Sequence, residues 1–192
     1  MENQEVKEGY KLTEVGVIPE DWEVKELGKI GDLKNGINKN KRDFGFGYPF
    51  VNLLDVFGNK EISNQIRFGF VNCIASERNQ YDLIKGDVLF IRSSVKPEGV
   101  GLTSVVIEDL VDSVYSGFLI RFREIGRLTL NYKKYCFYEE GFRKRVIDKS
   151  TVSANTNINQ DSLKTLKISF PQNKQEQEKI AQVLSDFDRA IA

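Results

Sequence analysis

The chain has 192 residues and a mass of 22.0 kDa, which suits one domain or one domain with an appendage. Its composition, 40% hydrophobic and 29% charged, is that of a folded globular protein and excludes an intrinsically disordered chain. The 28 basic and 28 acidic residues give no formal net charge, which argues weakly against binding to nucleic acid.

The neutral total hides an uneven distribution of charge. Residues 1–28 have a net charge of −5, residues 29–43 of +3 and residues 121–149 of +5. Phosphate contacts need local positive charge rather than a basic protein, so the two basic segments keep nucleic-acid binding open. Ordinary variation of surface charge is the alternative.

Histidine is absent, and this excludes Ser-His-Asp and Cys-His catalysis as well as histidine-ligated zinc. The two cysteines, Cys73 and Cys136, are far apart and form neither a disulfide framework nor paired metal ligands. The N-terminus is polar and the longest apolar runs are short, so we expect neither a signal peptide nor a membrane partner. A cytoplasmic location is expected.

Enzyme motifs are missing or weak. No P-loop occurs, and the glycines of residues 44–47 lead into Tyr48-Pro49, unlike an S-adenosylmethionine loop between a strand and a helix. Residues 23–25 match a nuclease Glu-x-Lys only loosely, because Asp21 is too near to act from another strand. Asp87 fits a turn better than a catalytic acid. We therefore assign no catalytic residue and no metal ligand.

The N-terminal half predicts strands and loops. Residues 9–21 indicate an extended lead-in, and a β-like pattern starts at Trp22, with a helical turn at 25–30 as the alternative. Residues 31–49 are typical of a loop, and Asn35-Gly36 favours a tight turn. Strands are predicted at 50–56, 66–74, 88–91, 102–107 and 114–122, with a turn at 85–87 and a loop at 93–101.

The C-terminal third predicts helices separated by a polar loop. Residues 130–147 have a helical pattern that Gly141 weakens, residues 150–160 form a loop, and residues 163–170 form a short helix-to-strand segment. Asn173 and Glu176 suit the start of a last helix as N-cap and capping-box partner. One apolar face of this helix carries Ile180, Leu184, Phe187 and Ile191, and we expect it to dock on the domain or on a partner.

Three polar loops carry the candidate binding residues. Lysine, arginine and hydroxyl side chains suit phosphate, whereas asparagine, arginine and serine can also bind base edges. The phosphate candidates are Lys34, Lys39, Lys41, Arg42, Lys96, Ser150 and Thr151. The base-edge candidates are Asn35, Asn38, Arg92, Ser93, Ser94, Asn155 and Asn157. Solvated loops are the alternative, and Ser150-Thr151 could simply cap a helix or turn.

A family resemblance rests on motifs near both ends of the chain. At the C-terminal end they are Ser150-Thr151, residues 157–163, Leu166 with Ile168, Pro171, residues 176–181, Leu184 and Asp188. Residues 18–22, Leu27-Gly28 and Gly36 match at the start, and residues 83–89 match in the centre. The chain resembles a target recognition domain from the DNA specificity subunit of type I restriction–modification systems.

The resemblance implies an α+β fold with an irregular, mostly antiparallel sheet, followed by the start of a long spacer helix. Residues 1–171 would form the recognition domain and residues 172–192 the first part of that helix. It further implies a non-catalytic subunit that reads one half of a bipartite double-stranded DNA target. Such a subunit positions methyltransferase subunits on the target and, indirectly, the restriction subunit.

The resemblance implies no cofactor for this chain, because S-adenosylmethionine, ATP and magnesium belong to the partner subunits. Family members usually have two recognition domains, so we expect either a half-subunit that pairs with itself through the C-terminal helix or a piece of a longer subunit. Two other interpretations stay open. One is a protein-interaction module working through the face of Ile180 to Ile191, and the other is the recognition domain of a fused restriction–methylation enzyme.

Overall fold

The computed structural model describes residues 6–191, so the first five residues of the polar N-terminus and Ala192 lie outside the description. The strands are β1 (Tyr10–Thr13), β2 (Gly16–Pro19), β3 (Trp22–Glu26), β4 (Gly31–Asn35), β5 (Phe44–Val51), β6 (Glu61–Ile62), β7 (Gly69–Val71), β8 (Val88–Ile91), β9 (Ser93–Ser94), β10 (Thr103–Val106), β11 (Val114–Tyr115), β12 (Leu119–Glu124), β13 (Thr151–Val152), β14 (Thr156–Asn157) and β15 (Lys167–Pro171). The helices are α1 (Leu27–Ile30), α2 (Leu53–Val56), α3 (Ala75–Gln80), α4 (Leu130–Cys136), α5 (Glu140–Asp148), α6 (Gln160–Lys164) and α7 (Lys174–Ile191), with 3-10 turns at Lys41–Asp43 and Pro97–Gly99.

The central sheet has the strand order β4-β12-β8-β10-β6 and separates two hydrophobic clusters. Successive side chains of a strand point to opposite faces, so Val88 and Phe90 of β8 enter one cluster while Leu89 and Ile91 enter the other. All four are buried. The uninterrupted apolar run therefore reflects a strand that is covered on both faces.

Helices cover the first face of the sheet. Phe137, after α4, packs edge-on against Phe90 with ring centroids 5.1 Å apart, and Phe142 of α5 lies beside it at 5.6 Å. Leu27 of α1 and Leu163 of α6 complete this cluster and are fully buried. The second face is covered by α2, β11 and the loops around them.

Four smaller sheets surround the central one, with the orders β1-β2, β11-β5-β7, β13-β14-β9 and β15-β3. Eight of the ten strand pairings in residues 6–191 are antiparallel, the exceptions being β10 with β6 and β11 with β5. The predicted α+β fold with an irregular, mostly antiparallel sheet is thus confirmed.

Residues 31–49 are not the predicted loop, because they contain β4 and most of β5. The expected tight turn at Asn35-Gly36 is also wrong. The chain runs on through Gly36, whose N–H donates to the carbonyl of Leu119 at 3.1 Å. A side chain at Gly36 would collide with the Ser116 carbonyl oxygen, 2.1 Å from an added Cβ. This glycine therefore permits close packing of two backbones and does not reverse the chain.

The predicted strand 50–56 ends at Val51 and gives way to α2. Asn52 caps this helix, because its side chain accepts the Leu53 N–H at 2.8 Å. The Asp55 carboxylate accepts the Asn52 N–H at 2.7 Å and completes a capping box. These local hydrogen bonds outweigh the β-propensity of the apolar residues on either side of Asn52.

Two other predicted elements are shorter than expected. The strand at 66–74 is reduced to β7, and the helix at 130–147 is divided into α4 and α5. The division falls at Glu139, whose carboxylate accepts the N–H groups of Gly141 and Phe142, each at 2.6 Å, and so starts a new helix. The strand predicted at 114–122 is wrong as a single element, because residues 116–118 separate β11 from β12 and the two strands belong to different sheets. The loop predicted at 93–101 contains the short strand β9 and a 3-10 turn. The turn before β8, the strand β10 and the segment from α6 to β15 agree with prediction, and the stretch from Trp22 contains both β3 and α1.

The last helix, α7, is anchored at its N-terminal end. The Asn173 side chain accepts the Gln175 N–H at 2.8 Å, as predicted for an N-cap, but Glu176 accepts the Trp22 indole N–H at 2.9 Å instead of closing a capping box. Gln177 is buried, accepting from the Thr129 N–H at 2.8 Å and donating to the Pro171 carbonyl at 2.8 Å. The division into domains at residues 171 and 172 stays a prediction.

Candidate nucleic-acid interface

Three strands of the central sheet bring the candidate loops to one end. β12 is antiparallel to both β4 and β8, with Ile120 opposite Asn35 and Leu119 opposite Ile91. The C-terminal ends of β4 and β8 therefore meet the N-terminal end of β12. The segments that continue from these ends carry Asn38 and Arg92, two of the predicted base-edge residues.

Gly117 is the point where these segments touch. Arg92 donates from Nη1 to the Gly117 carbonyl at 3.2 Å, and its own N–H donates to the Phe118 carbonyl at 2.8 Å. The Gly117 N–H donates to the Ile37 carbonyl at 2.8 Å, and a Cβ on Gly117 would lie 2.0 Å from the Asn38 side-chain oxygen. The absence of a side chain here lets Asn38 and Arg92 lie on either side of one backbone.

The 150–160 segment, predicted as a loop, forms a small hairpin that joins the same surface. β14 pairs with β9, with Asn157 opposite Ser93 and Thr156 opposite Ser94. The Ile158 N–H donates to the Arg92 carbonyl at 2.9 Å. These pairings fix a segment that is rich in asparagine against the strand that follows Arg92.

The three segments that carry the seven base-edge candidates thus meet at one end of the central sheet, although their sequence positions span more than 120 residues. We call this group of candidates the polar ridge, and it consists of Asn35, Asn38, Arg92, Ser93, Ser94, Asn155 and Asn157. The Gln160 side chain joins the first segment to the third, because its oxygen accepts the Asn35 N–H at 3.2 Å. The Asn157 side chain donates to the Asn155 carbonyl at 2.9 Å. The Asn35 side-chain oxygen is buried and has no hydrogen-bond partner in residues 6–191.

A cavity of about 630 Å³ lies beside the polar ridge. Ser93, Ser94, Lys96 and Asn155 form part of its wall. The rest is mainly apolar and includes the exposed side chains of Leu54, Phe57, Val95 and Phe118. Sequence reasoning missed these apolar residues. Leu54, Phe57 and Phe118 lie in or beside predicted strands, and Val95 lies in a predicted loop, so nothing in the sequence indicated that these four residues share one cavity wall.

The phosphate candidates differ in how free their charges are. Lys41, Arg42 and Lys96 are exposed, and none of them has an ion-pair partner among the described residues. Lys39 is engaged, because its Nζ lies 2.7 Å from the Glu77 carboxylate. The Nζ of Lys34 lies 5.3 Å from the centre of the Tyr81 ring. The first three are therefore the better candidates for phosphate.

The two hydroxyl candidates already have backbone partners. Ser150 donates to the Val146 carbonyl at 2.8 Å, one turn back at the end of α5. Thr151 is exposed and donates weakly to the Asn157 carbonyl at 3.4 Å. The geometry of Ser150 matches the capping alternative, whereas Thr151 lies at the exposed edge of the hairpin.

The basic segment 121–149 is largely neutralised within the fold. Arg123 makes two 2.8 Å hydrogen bonds to Asp87, and Arg121 binds Asp82 at 2.8 Å. Further pairs join Lys133 with Glu124, Lys134 with Glu61 and Arg145 with Glu139. Its net charge of +5 is therefore a poor guide to a phosphate-binding surface.

The groups weighed as possible catalysts have structural partners. Asp87 is buried and accepts the Ile84 N–H at 2.9 Å, so its predicted role in the turn is confirmed. Burial raises the pKa of the Cys73 thiol and that of the Cys136 thiol, which makes both poor nucleophiles.

Residues 6–191 contain no group of three cysteine, aspartate or glutamate side chains placed to hold a metal ion. Across these same residues, no helix has the length and apolar character needed to cross a membrane.

The predicted interface residues of α7 separate into two groups. Ile180 packs against the first hydrophobic cluster, whereas Leu184, Phe187 and Ile191 are 38%, 64% and 82% exposed. Asp188, on the same helix, pairs with Lys60, and this contact lowers the pKa of its carboxyl. The helix thus contacts the domain at both Ile180 and Asp188, and it leaves an apolar strip of Leu184, Phe187 and Ile191 uncovered.

Comparison with known proteins places this chain in a family. Residues 19–192 match the type I restriction modification DNA specificity domain. The MjaX specificity subunit of a type I restriction enzyme from Methanocaldococcus jannaschii is 33% identical over 96% of this chain and 44% of its own length. The MjaIX specificity subunit from the same organism is 28% identical over 95% of this chain and 41% of its own. The chain belongs to the type I restriction modification DNA specificity domain family.

Solved structures agree on the fold. The HsdS subunit from Thermoanaerobacter tengcongensis has a TM-score of 0.64 at 21% identity, over 96% of this chain and 41% of that one. The S subunit of the type I restriction–modification system from M. genitalium has a TM-score of 0.58 at 20% identity, over 88% and 39%. The chain thus spans less than half the length of the specificity subunits that it matches.

Proposed function

We propose that this chain is a DNA-reading domain that recognises one half of a bipartite double-stranded target. The observation that carries the proposal is the polar ridge, where three distant segments that carry seven hydrogen-bonding side chains meet at one end of the central sheet. Base edges in the major groove are read by such side chains, and exposed cations nearby can hold phosphates. Membership of the DNA specificity family supports the same role.

The proposal includes partners and excludes catalysis by this chain. Two relatives are named as specificity subunits of type I restriction enzymes, which supports assembly with methyltransferase subunits and, through them, a restriction subunit. S-adenosylmethionine, ATP and magnesium would then be bound by those partners. We propose that the assembly acts in the cytoplasm, where it meets DNA.

Selection from a randomised duplex pool tests the proposal. The 192-residue chain is incubated with the pool at two salt concentrations, with and without a cognate methyltransferase subunit. We expect one short motif to be enriched, mainly with the partner present, and binding to fall as salt rises. A folded chain that enriches no motif under any condition would contradict the proposal and favour a protein-interaction module.

Substitution of Arg92 and Lys41 should separate base reading from phosphate binding. Arg92→Ala should cost about 1–3 kcal/mol at one base position and relax the choice there, because a base-edge contact is lost. Lys41→Ala should weaken binding to all duplexes alike and reduce the salt slope by about 1. Binding titrations on the selected motif and its single-base variants measure both effects.

Arg92 also holds the Gly117 carbonyl, so Arg92→Lys and a thermal melt of each variant serve as controls for folding. The lysine variant keeps the charge but loses the planar, two-pronged donor set that guanine requires. Equal losses of Arg92→Ala on every duplex would contradict base reading by this residue.

Self-association through α7 is a second proposal, favoured by the uncovered strip of Leu184, Phe187 and Ile191. Two such strips packed together would bury apolar surface and place two recognition domains in one particle. Phe187→Glu should therefore lower the apparent mass of the chain at high protein concentration. Sedimentation of the wild type and this variant, with exposed Phe57→Glu as control, measures the effect. A wild-type chain that stays monomeric at every concentration would exclude this pairing.

A further inference from the structure

Strand β5 contains a bulge that the binding proposal does not use. Phe44 and Tyr48 are both opposite Val71 of β7, so residues 45–47 have no partner across the sheet. Gly45 and Gly47 each have a φ of +98°, which side-chain-bearing residues rarely adopt. Gly47 also lies so close to β7 that an added Cβ would be 2.6 Å from the Val71 carbonyl oxygen. Two glycines are thus required to push the residue between them out of the sheet.

That residue is Phe46, which is 54% exposed. Phe44, two positions earlier, packs edge-on against buried Phe50 at 5.4 Å and so contributes to folding. Phe46 has no aromatic partner among residues 6–191. The bulge therefore presents a large apolar side chain to solvent without any gain in core packing.

Positive charge lies directly beside the bulge. The 3-10 turn at Lys41–Asp43 is fixed to the end of β7, because the Asn72 N–H donates to the Asp43 carbonyl at 2.7 Å. Asn72 follows Val71, the residue opposite the bulge. The Asp43 carboxylate accepts the Asn40 N–H at 3.1 Å, while Lys41 and Arg42 are exposed and make no ion pair within the described chain.

This arrangement suits a polyanion with an apolar interior, and duplex DNA has that chemistry. Its phosphates would meet Lys41 and Arg42, and its stacked bases would meet the aromatic ring. The same segment begins at Asn38 of the polar ridge and reaches Phe46 eight residues later. One stretch of chain therefore carries a base-edge candidate, two cations and an exposed aromatic side chain in succession.

We infer that Phe46 is a wedge that enters between two base pairs and bends the DNA, while Lys41 and Arg42 hold the phosphates on either side. The inference rests on the proposed DNA binding and adds deformation of the duplex to it. Apolar wedges such as phenylalanine partly unstack a base step and kink the helix. Flexible steps such as TA and CA resist this least, so the domain selects for them at a position where it forms no base hydrogen bond.

Permanganate reactivity and end-to-end energy transfer test the wedge on the duplex selected by the wild-type chain. Permanganate oxidises thymines that are unstacked, and energy transfer between dyes at the two ends reports bending. We expect one step to become several times more reactive on binding and the transfer to rise. Phe46→Ala should abolish both changes and weaken binding about tenfold through the lost stacking contact, yet keep the motif read by the ridge.

Two further variants make the test specific. Phe46→Leu keeps an apolar wedge and should retain most of the bend, whereas Phe70→Ala removes another exposed phenylalanine, on the neighbouring strand, and should change nothing. Thermal melts verify that each variant is folded, as expected for exposed positions.

The outcomes separate the wedge from the function on which it rests. If the wild type binds a selected motif but leaves it straight and unreactive, the wedge is refuted and DNA reading stands. If Phe46→Ala bends DNA like the wild type and fails only in binding the methyltransferase subunit, Phe46 is a protein contact and the wedge is again refuted. If the wild type binds no duplex, both proposals fail.

Discussion

Asp87→Asn should lower the free energy of unfolding by about 3 kcal/mol, because it removes a buried carboxylate charge that is paired with the half-buried guanidinium of Arg123. The Asp87 side chain is only 1% exposed. It accepts the Ile84 N–H at 2.9 Å and two hydrogen bonds from the Arg123 guanidinium, each at 2.8 Å. An asparagine side chain has only one oxygen to accept these hydrogen bonds. Its NH₂ group would face another N–H donor, and that donor would lose its acceptor.

Arg123 cannot escape this cost by losing its proton. Hydrogen bonding to Asp87 and the nearby charge of Asp82 raise the pKa of its guanidinium above an already high value. The guanidinium therefore stays charged at every pH at which the protein folds. In the variant it keeps its contacts to Asp82 alone, at 3.2 and 3.3 Å.

Urea unfolding followed by circular dichroism measures the change, and Asp109→Asn is the matched control. The Asp109 carboxylate accepts the Lys85 N–H at 2.8 Å in the same turn region, but the residue is exposed and has no cationic partner among residues 6–191. We expect Asp109→Asn to change stability by about 0.5–1 kcal/mol at most. Equal effects of the two substitutions would show that the buried ion pair is not what stabilises this turn.

The elements that the sequence predicted correctly are those with strong local signals. β8 is four apolar residues after a Lys-Gly-Asp turn, and α7 combines an N-cap with helical spacing of apolar residues. The capping box that starts α2 was equally visible in Asn52 and Asp55, but the apolar residues around it favoured a strand. Short helices are difficult to predict, since a single turn has little periodicity to detect.

The spatial arrangement of the candidate site could not be predicted from the sequence. Its residues were chosen one by one for their chemistry, and sequence alone could not tell that Asn38, Arg92 and Asn157 lie side by side. That proximity depends on β9 and β14, two-residue strands that pair across more than 60 positions. It depends also on Gly117, whose role comes from the side chains and backbones around it. The DNA-contact roles of these residues stay predictions.

The net charge of a sequence segment did not identify the cations that are free to bind phosphate, and the reason is again that the partners are distant in the sequence. The acids that neutralise Arg121, Arg123 and Lys134 come from Asp82, Asp87 and Glu61, all at least 34 residues earlier in the chain. Conversely, Lys41 and Arg42 belong to the weaker basic segment and yet remain unpaired within residues 6–191. Free positive charge is thus a property of the fold, and only the folded chain separates the cations available to phosphate from those already used.

Gly36→Ala tests whether the geometry of the polar ridge depends on close backbone packing. An alanine Cβ would lie 2.1 Å from the Ser116 carbonyl oxygen and 2.5 Å from that of Tyr115. Both carbonyl groups are held by hydrogen bonds, since the Ile37 N–H donates to the Tyr115 carbonyl at 2.9 Å and the Leu119 N–H donates to the Ser116 carbonyl at 2.9 Å. We expect a loss of about 3 kcal/mol in unfolding free energy, at the upper end for overpacking.

The same displacement should reach the DNA-binding surface. Ile37 and Asn38 follow Gly36 directly, so moving the backbone away from Ser116 also moves Asn38 away from Gly117. At a temperature where the variant is folded, we expect its sequence preference in the duplex pool to weaken while salt-dependent binding persists, because Lys41 and Arg42 are unchanged. Gly69→Ala is the control, since its position is open, and should alter stability by about 0.5 kcal/mol at most. A Gly36→Ala chain with wild-type stability and preference would mean that the ridge tolerates a shift of its supporting strands, and readout would then depend on adaptable loops rather than on a fixed surface.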